Sequence, residues 1–401
     1  MRRVAVTGIG IICGTGANRR EFWNSTQAGI TGIAPVRQVE MSGLRFANGA
    51  EVKNYRATDH FSEKQADFMD RFAQFAVIAA REALADSGIQ LTPELRANTG
   101  IVTGSCVGGQ TAQDEGFWAI YKEGRTRVHP LTIPKTMANA GASHISMELG
   151  ITGPSFTFST ACASSAHALG HAFWMVRSGA VELALAGGSE APFSFGILRA
   201  WEAMRVVSPD TCRPFSKDRS GMILGEGGAM LMLEPLESAL ARGAAIYGEI
   251  AGFGMSSDAA HITQPSSAGA AQAMQMALRD AQLQTDQIGY INAHGTGTLA
   301  NDASETEAIH HLFGSHTGRL AVSSTKAMHG HALGAAGAFE AAATLFALRH
   351  AVLPPTVNYR EADPACDLDV IPNIARKVAV EYALSNSFAF GGLNAVLAFR
   401  R

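Results

Sequence analysis

The sequence predicts an α/β protein and leaves open whether its second half repeats the first. Three observations carry that reading. Short apolar runs of strand length alternate with Ala-rich stretches of helical spacing along the whole 401-residue chain. The alternation restarts after about residue 245. Finally, 42 glycines, against about 7% in average usage, point to many tight turns between buried elements.

The elements follow in order. Val4–Ile12 is an apolar run ending in glycines, and it reads as a buried first strand and turn rather than a leader peptide. Phe72, Phe75, Ala76, Ala79 and Ala83 keep helical spacing, with Gly88 placed to cap the C-terminus. Ile101–Gly104 and Phe156–Thr160 read as strands, Ala163–Ser178 as a helix, then Leu183–Ala186 and Ala229–Leu233 as strands. In the second half Tyr247–Gly252 is a strand, Ala268–Ala281 a helix, and Ile288–Ala293 and Leu320–Ser323 strands. Helix Gly334–Arg349 and closing strands Ala383–Asn386 and Ala395–Phe399 complete it. Strands that are apolar throughout and separated by helices predict βαβ units and mostly parallel sheet. The expected division is residues 1–245 and 246–401.

Composition excludes several classes. Hydrophobic residues make up 47% and charged ones 17%, too apolar for a disordered chain. A net charge of −3 gives no basic footprint for nucleic acid. Five cysteines, odd in number and without CxxC spacing, fit neither a disulfide framework nor a zinc ribbon, so a reducing cytoplasm is expected. No apolar run reaches the ~18 residues of a membrane span. His167 and His171 stand at i, i+4, but the segment lacks the Glu of a zincin, so no metal site is expected. Neither a GxGxxG nor a GxxxxGK[ST] sequence occurs.

Three corners remain that could do chemistry. Cys162 ends a strand-like run and precedes a helix, where the helix dipole and free amides should lower a thiol pKa. Its position alone leaves it open between a reactive thiol and a packed one. His294, in His294-Gly295-Thr296-Gly297-Thr298, and His331, in Lys326-Ala327-Met328-His329-Gly330-His331, both follow strands beside glycine turns. Such strand ends are where α/β proteins place their sites.

Together these motifs resemble the 3-oxoacyl-acyl-carrier-protein synthases, the elongating condensing enzymes of the thiolase superfamily. The match runs nearly end to end. It covers Thr160 to Ser165, Arg213-Pro214-Phe215, Asp218 to Gly221, Gly225-Glu226-Gly227, His294 to Thr298, Asn301-Asp302, Glu305, Lys326 to Gly337 and Asn386 to Gly392. The resemblance implies a thiolase-like fold of two halves stacked in five layers, αβαβα, and a homodimer. It implies that Cys162 takes the acyl chain, that His294 and His331 donate hydrogen bonds to a malonyl thioester, and that backbone amides of Cys162 and Phe390 form an oxyanion hole. Lys326 matches the family lysine, with Glu305 as its expected ion-pair partner and Glu340 as an orienting group; Asp302 is a further supporting residue. Phe390 matches an aromatic gate, while Val107 and Phe388 match positions in the acyl pocket. The implied partner is an acidic acyl-carrier protein, with Lys64 and Arg205 as candidate contacts; no cofactor is implied.

Some positions depart from the common pattern. Ala389 stands where many relatives have Gly, Leu393 where many have Thr, and His329 often corresponds to Thr. They suggest a divergent branch, such as the nodulation-type or polyene-making synthases. Two rival classes are a non-catalytic chain-length-factor-like subunit, which would lack the nucleophile, and a coenzyme A-dependent thiolase, which would carry a second Cys in the last Gly-rich motif. A starter-unit synthase would carry Asn in place of His331.

Overall fold

The computed structural model describes the whole chain, Met1 to Arg401. Its main sheet has ten strands: β1 (Val4–Cys13), β2 (Thr99–Gly104), β3 (Ser155–Phe158), β4 (Leu183–Glu190), β5 (Gly227–Pro235), β6 (Gly248–Ser257), β7 (Ile288–Asn292), β8 (Ala321–Ser323), β9 (Tyr382–Ala389) and β10 (Leu393–Arg400). The order is β8-β7-β9-β10-β6-β1-β5-β4-β2-β3. Outward from the β6–β1 join, one half reads first, fifth, fourth, second and third strand, and so does the other. Strand senses repeat as well. Within each half the first two pairings are antiparallel and the next two parallel. The halves meet edge to edge only where Val4–Val6 pair with Gly248–Ile250.

The sheet is mixed, which corrects the expectation of mostly parallel strands. Five of its nine strand pairings are antiparallel and four parallel. The reason is local for β9 and β10. Only the turn Phe390-Gly391-Gly392 separates them, with no helix to carry the chain back, so β10 must return antiparallel.

Five helices complete the frame: α1 (Arg71–Ser87), α2 (Ser164–Ser178), α3 (Ser267–Ala281), α4 (Leu299–Phe313) and α5 (Ala336–His350). Asp70 caps the start of α1 by accepting from the Phe72 amide, and Gly88 ends it in the left-handed conformation. Its apolar stripe packs on β1, β4 and β5, while α3 packs on β6 and β10. Helices α2 and α5 pack on each other and touch strands of both halves, so they form the middle layer. Every residue of α5 from Ala336 to Leu348 is buried. A helix buried all round needs small apolar residues, which explains its Ala-rich sequence and the low overall charge. The resulting order is α1, the strands of the first half, α2 with α5, the strands of the second half, α3.

The two middle helices start alike. A short 3₁₀ turn, Ala161–Ala163, leads into α2, and Leu333–Ala335 leads into α5. The first residue of each has a positive φ, 48° at Ala161 and 46° at Leu333. Gly334 is therefore the counterpart of Cys162. No helix is long and apolar enough to cross a membrane.

Candidate active site

Cys162 sits in the turn between β3 and α2, 6% exposed. Ser164 closes the turn: its Oγ accepts from the Thr160 amide at 2.9 Å and donates to the Ala161 carbonyl at 2.6 Å. His167, one turn into α2, places Nδ1 3.0 Å from the Ala163 carbonyl and 3.0 Å from the Thr160 hydroxyl. It is a packing residue that braces this turn. His171 packs against Phe158 with ring centroids 4.5 Å apart and the rings tilted by 30°. The Phe390 backbone amide faces the Cys162 sulfur. Burial pushes the thiol up to about 11, while Lys326 and the Phe390 amide pull it down. This reverses the expectation of a lowered pKa: the helix end is present, but enclosure of the sulfur outweighs it.

His294 lies two residues beyond β7, and His331 follows the short helix Lys326–His329 after β8. Their ring centroids are 5.5 Å apart and nearly perpendicular, 85°. The Leu333 amide donates to His331 Nδ1 at 3.2 Å. Lys326 Nζ, which can only donate when charged, stands 3.4 Å from His294 Nδ1. In each ring Nδ1 is thus an acceptor and the proton belongs on Nε2. Burial, and then the Lys326 charge, hold both imidazoles well below the usual histidine pKa. Two neutral rings therefore carry Nε2–H.

Lys326 is fully buried and pairs with Glu340 Oε1. Its Nζ also donates to the His294 carbonyl at 2.6 Å. Glu305, expected as the lysine's partner, instead accepts the amides of His294 at 2.9 Å and Gly295 at 2.8 Å, with Asn386 Nδ2 at 3.0 Å. It fixes the His294 backbone, and Glu340 takes the ion pair. Asp302, buried beside it, accepts the Phe215 amide at 2.8 Å and the Gly297 amide at 3.2 Å. Burial pushes its carboxyl up to about 6.

Cys162, His294, His331, Phe388 and Phe390 line one cavity of about 730 Å³ including its open mouth. Thr296, Thr298 and the segment Ile262–Pro265 form other walls. Phe388 is buried with its ring 6.0 Å from His294. The Phe390 ring stacks on Trp201 at 6.4 Å. Val107, by contrast, is 40% exposed and outside this cavity. The neighbouring Cys106 amide turns inward to Glu190 Oε2 at 2.6 Å, and the Val107 side chain faces out. Arg205 is exposed beside Val206, a cavity residue. Lys64 lies away from the lining, on the helix Glu63–Asp67 with its Nζ 6.0 Å from the Phe68 ring.

Residues 1–239 match the beta-ketoacyl synthase, N-terminal domain, and residues 247–360 the beta-ketoacyl synthase, C-terminal domain. The chain belongs to the beta-ketoacyl synthase family. The synthase is 48% identical over 400 residues to nodulation protein E of a Rhizobium species, covering 100% of this chain and 99% of the relative. It is 41% identical over 409 residues to 3-oxoacyl-[acyl-carrier-protein] synthase 2 of Synechocystis, covering 100% and 98%. Among solved structures, the ishigamide ketosynthase/chain length factor superposes with a TM-score of 0.95 at 36% identity, covering 100% of this chain and 99% of that one. A thiolase-like frame and a resemblance to the nodulation-type synthases agree with these likenesses.

Sequence reasoning passed over two residues of the synthase. Trp201 backs the Phe390 ring. Glu190, fully buried at the end of β4, had a readable signal: it follows Gly187-Gly188 at a strand end, the setting that singled out the histidines.

Proposed function

We propose that this synthase joins an acyl chain carried on Cys162 to malonyl-acyl-carrier protein by decarboxylative Claisen condensation, giving a 3-oxoacyl-acyl-carrier protein two carbons longer. The observation that carries this reading is the convergence of one thiol and two neutral Nε2–H donors on one cavity. The Cys162 sulfur displaces the carrier thiol from an acyl thioester, and the Cys162 proton passes to the departing thiol. Malonyl thioester enters next. His294 and His331 donate to its carbonyl oxygen, so that negative charge can gather there as the carboxylate leaves as CO2. The new carbanion attacks the acyl-Cys162 carbonyl. Its oxyanion is held by the amides of Cys162 and Phe390, and collapse expels the thiolate, which takes a proton from water as the cavity opens.

Neutral imidazoles suit this task because a donor is required and no proton need be removed. The lysine fixes His294 and supplies positive charge to the site. Phe390, at the cavity mouth, is the gate that admits malonate after acylation. The reading assigns the nucleophile to residues 1–245 and the histidines with the gate to 246–401.

Among the cysteines only Cys162 lines the cavity, which supports a condensing enzyme over a thiolase with a second catalytic thiol. Its presence argues equally against a chain-length-factor-like subunit. The carrier-protein partner is supported by the name of the 41% identical relative, and Arg205, exposed beside the cavity residue Val206, fits an acidic carrier better than Lys64 does. A homodimer is supported by β3, a sheet edge paired on one side only, with exposed Phe156.

Intact-mass analysis after incubation with acyl-carrier proteins tests the first step. A gain equal to the acyl group in the wild type and none in Cys162→Ala is the expected result. Equal loading of both proteins would sink the proposal.

A further inference from the structure

The Glu190 carboxylate lies between the two halves at the position where the second half repeats the architecture around Cys162. All its partners are N–H and O–H donors. Oε2 accepts the Cys106 amide at 2.6 Å and the Gly334 amide at 3.0 Å, and Oε1 accepts the Ser105 hydroxyl at 3.0 Å. Ser105 Oγ in turn accepts the Gly108 amide at 3.0 Å. The carboxylate thus ties the loop after β2, in the first half, to the turn before α5, in the second. Gly334 has no room for a side chain: a Cβ there would stand 2.3 Å from the Cys106 nitrogen and 2.6 Å from Glu190 Oε2. The counterpart of the nucleophile has been replaced by the smallest residue, and a carboxylate fills the space beside it.

That turn also sets His331. Leu333, whose amide fixes the His331 tautomer, has a φ of 46°, an uncommon conformation for a branched side chain. Such a backbone persists only where its surroundings hold it. The bond from Gly334 to Glu190 is the next link in the chain. We infer that Glu190 is a positioning residue for His331: by clamping the Gly334 amide to the Cys106 loop it holds the Leu333 amide against Nδ1 and keeps Nε2–H aimed into the cavity. This inference rests on the proposed function, since it assigns His331 to the decarboxylating step.

The test is Glu190→Gln, with Glu190→Asp as the second variant in case the first does not fold. An amide offers one acceptor oxygen and presents an NH2 group to the remaining donors, so at least one clamp bond is lost. Two steps are followed separately: loading of Cys162 by intact mass, and CO2 release from malonyl-carrier protein by the loaded enzyme. The expected result is loading within about threefold of wild type and CO2 release about tenfold slower, the loss expected for one hydrogen bond to a charged group. The KM for malonyl-carrier protein should be nearly unchanged. The ¹⁵N shifts of His331 should move from one Nε2–H tautomer toward a mixture. A proportionate fall in both steps, no fall in either, or an unchanged His331 spectrum would overturn the inference. Failure of the wild type to load Cys162 would instead count against the proposed function.

Discussion

Lys326 Nζ holds His294 at two points, its carbonyl oxygen at 2.6 Å and its Nδ1 at 3.4 Å, from inside a fully buried ion pair with Glu340. One cation thereby fixes the ring's position, its tautomer and its neutrality. Because Glu340 is 0% exposed, the arrangement is sensitive to loss of either partner.

Lys326→Ala should therefore act on both stability and chemistry. It leaves a buried carboxylate without its cation, a change that costs about 3–5 kcal/mol when a buried pair is broken. Burial already pushes Glu340 up to about 7, so the orphaned group should take up a proton at neutral pH. Chemical denaturation should show the drop in stability. CO2 release should fall with it, as His294 loses its donor. The double change Lys326→Met with Glu340→Leu should recover stability and leave CO2 release low.

The histidines predict a pH response by sign. Both are held well below their ordinary pKa of 6.5. In the unfolded chain they protonate as pH falls through that value, while the folded protein stays neutral there. The unfolded state then binds more protons, so stability is lost as pH drops below about 6.5. CO2 release by loaded enzyme should be flat between about pH 6 and pH 8. A titration of that step centred at 6.5 would contradict neutral donors.

Cys162 predicts the opposite edge. With its thiol up at about 11, the thiolate fraction below that value rises about tenfold per pH unit. Alkylation by iodoacetamide should climb steadily from neutral pH to pH 9 without levelling. Lys326→Met, which removes the charge that lowers this thiol, should slow alkylation at each pH. A plateau near pH 7 in the wild type would show a stabilised resting thiolate.

The middle layer predicts a packing cost. A Cβ on Gly170, in α2, would lie 2.3 Å from the Phe253 ring on β6. Gly170→Ala gains about 0.5–1 kcal/mol of helix propensity but overpacks a filled core at about 1–3 kcal/mol. Net destabilisation is expected by thermal melting. A rise in Tm would mean that the ring gives way freely.

The strands, the four helices read from spacing, and the three chemical corners were legible in the sequence because burial leaves unbroken apolar runs and because glycine turns flank the polar residues at strand ends. Helix α1 and its Gly88 cap are one case, and His294 beyond β7 is another. Strand sense was less legible, since an apolar run carries no direction; only the missing helix between β9 and β10 signalled the reversal. Charge partners were harder still. Glu305 and Glu340 are both buried near Lys326, and only three-dimensional placement shows that one binds backbone amides while the other meets the amine. The Cys162 thiol could not be judged from a helix N-terminus alone, because enclosure by the opposite half raises what the helix end lowers. Val107 faces out beside Cys106, whose amide bonds Glu190 across 84 residues of chain.

The central claim is that two neutral imidazoles, and not the thiol, drive loss of CO2. The most direct measurement is radiolabelled CO2 release from malonyl-carrier protein by His294→Ala and His331→Ala, each first loaded with acyl chain and checked by intact mass. Full loading of Cys162 with CO2 release lowered at least a hundredfold, on the order expected when one preorganised donor is removed, is the predicted result. Loaded variants that release CO2 at the wild-type rate would contradict it.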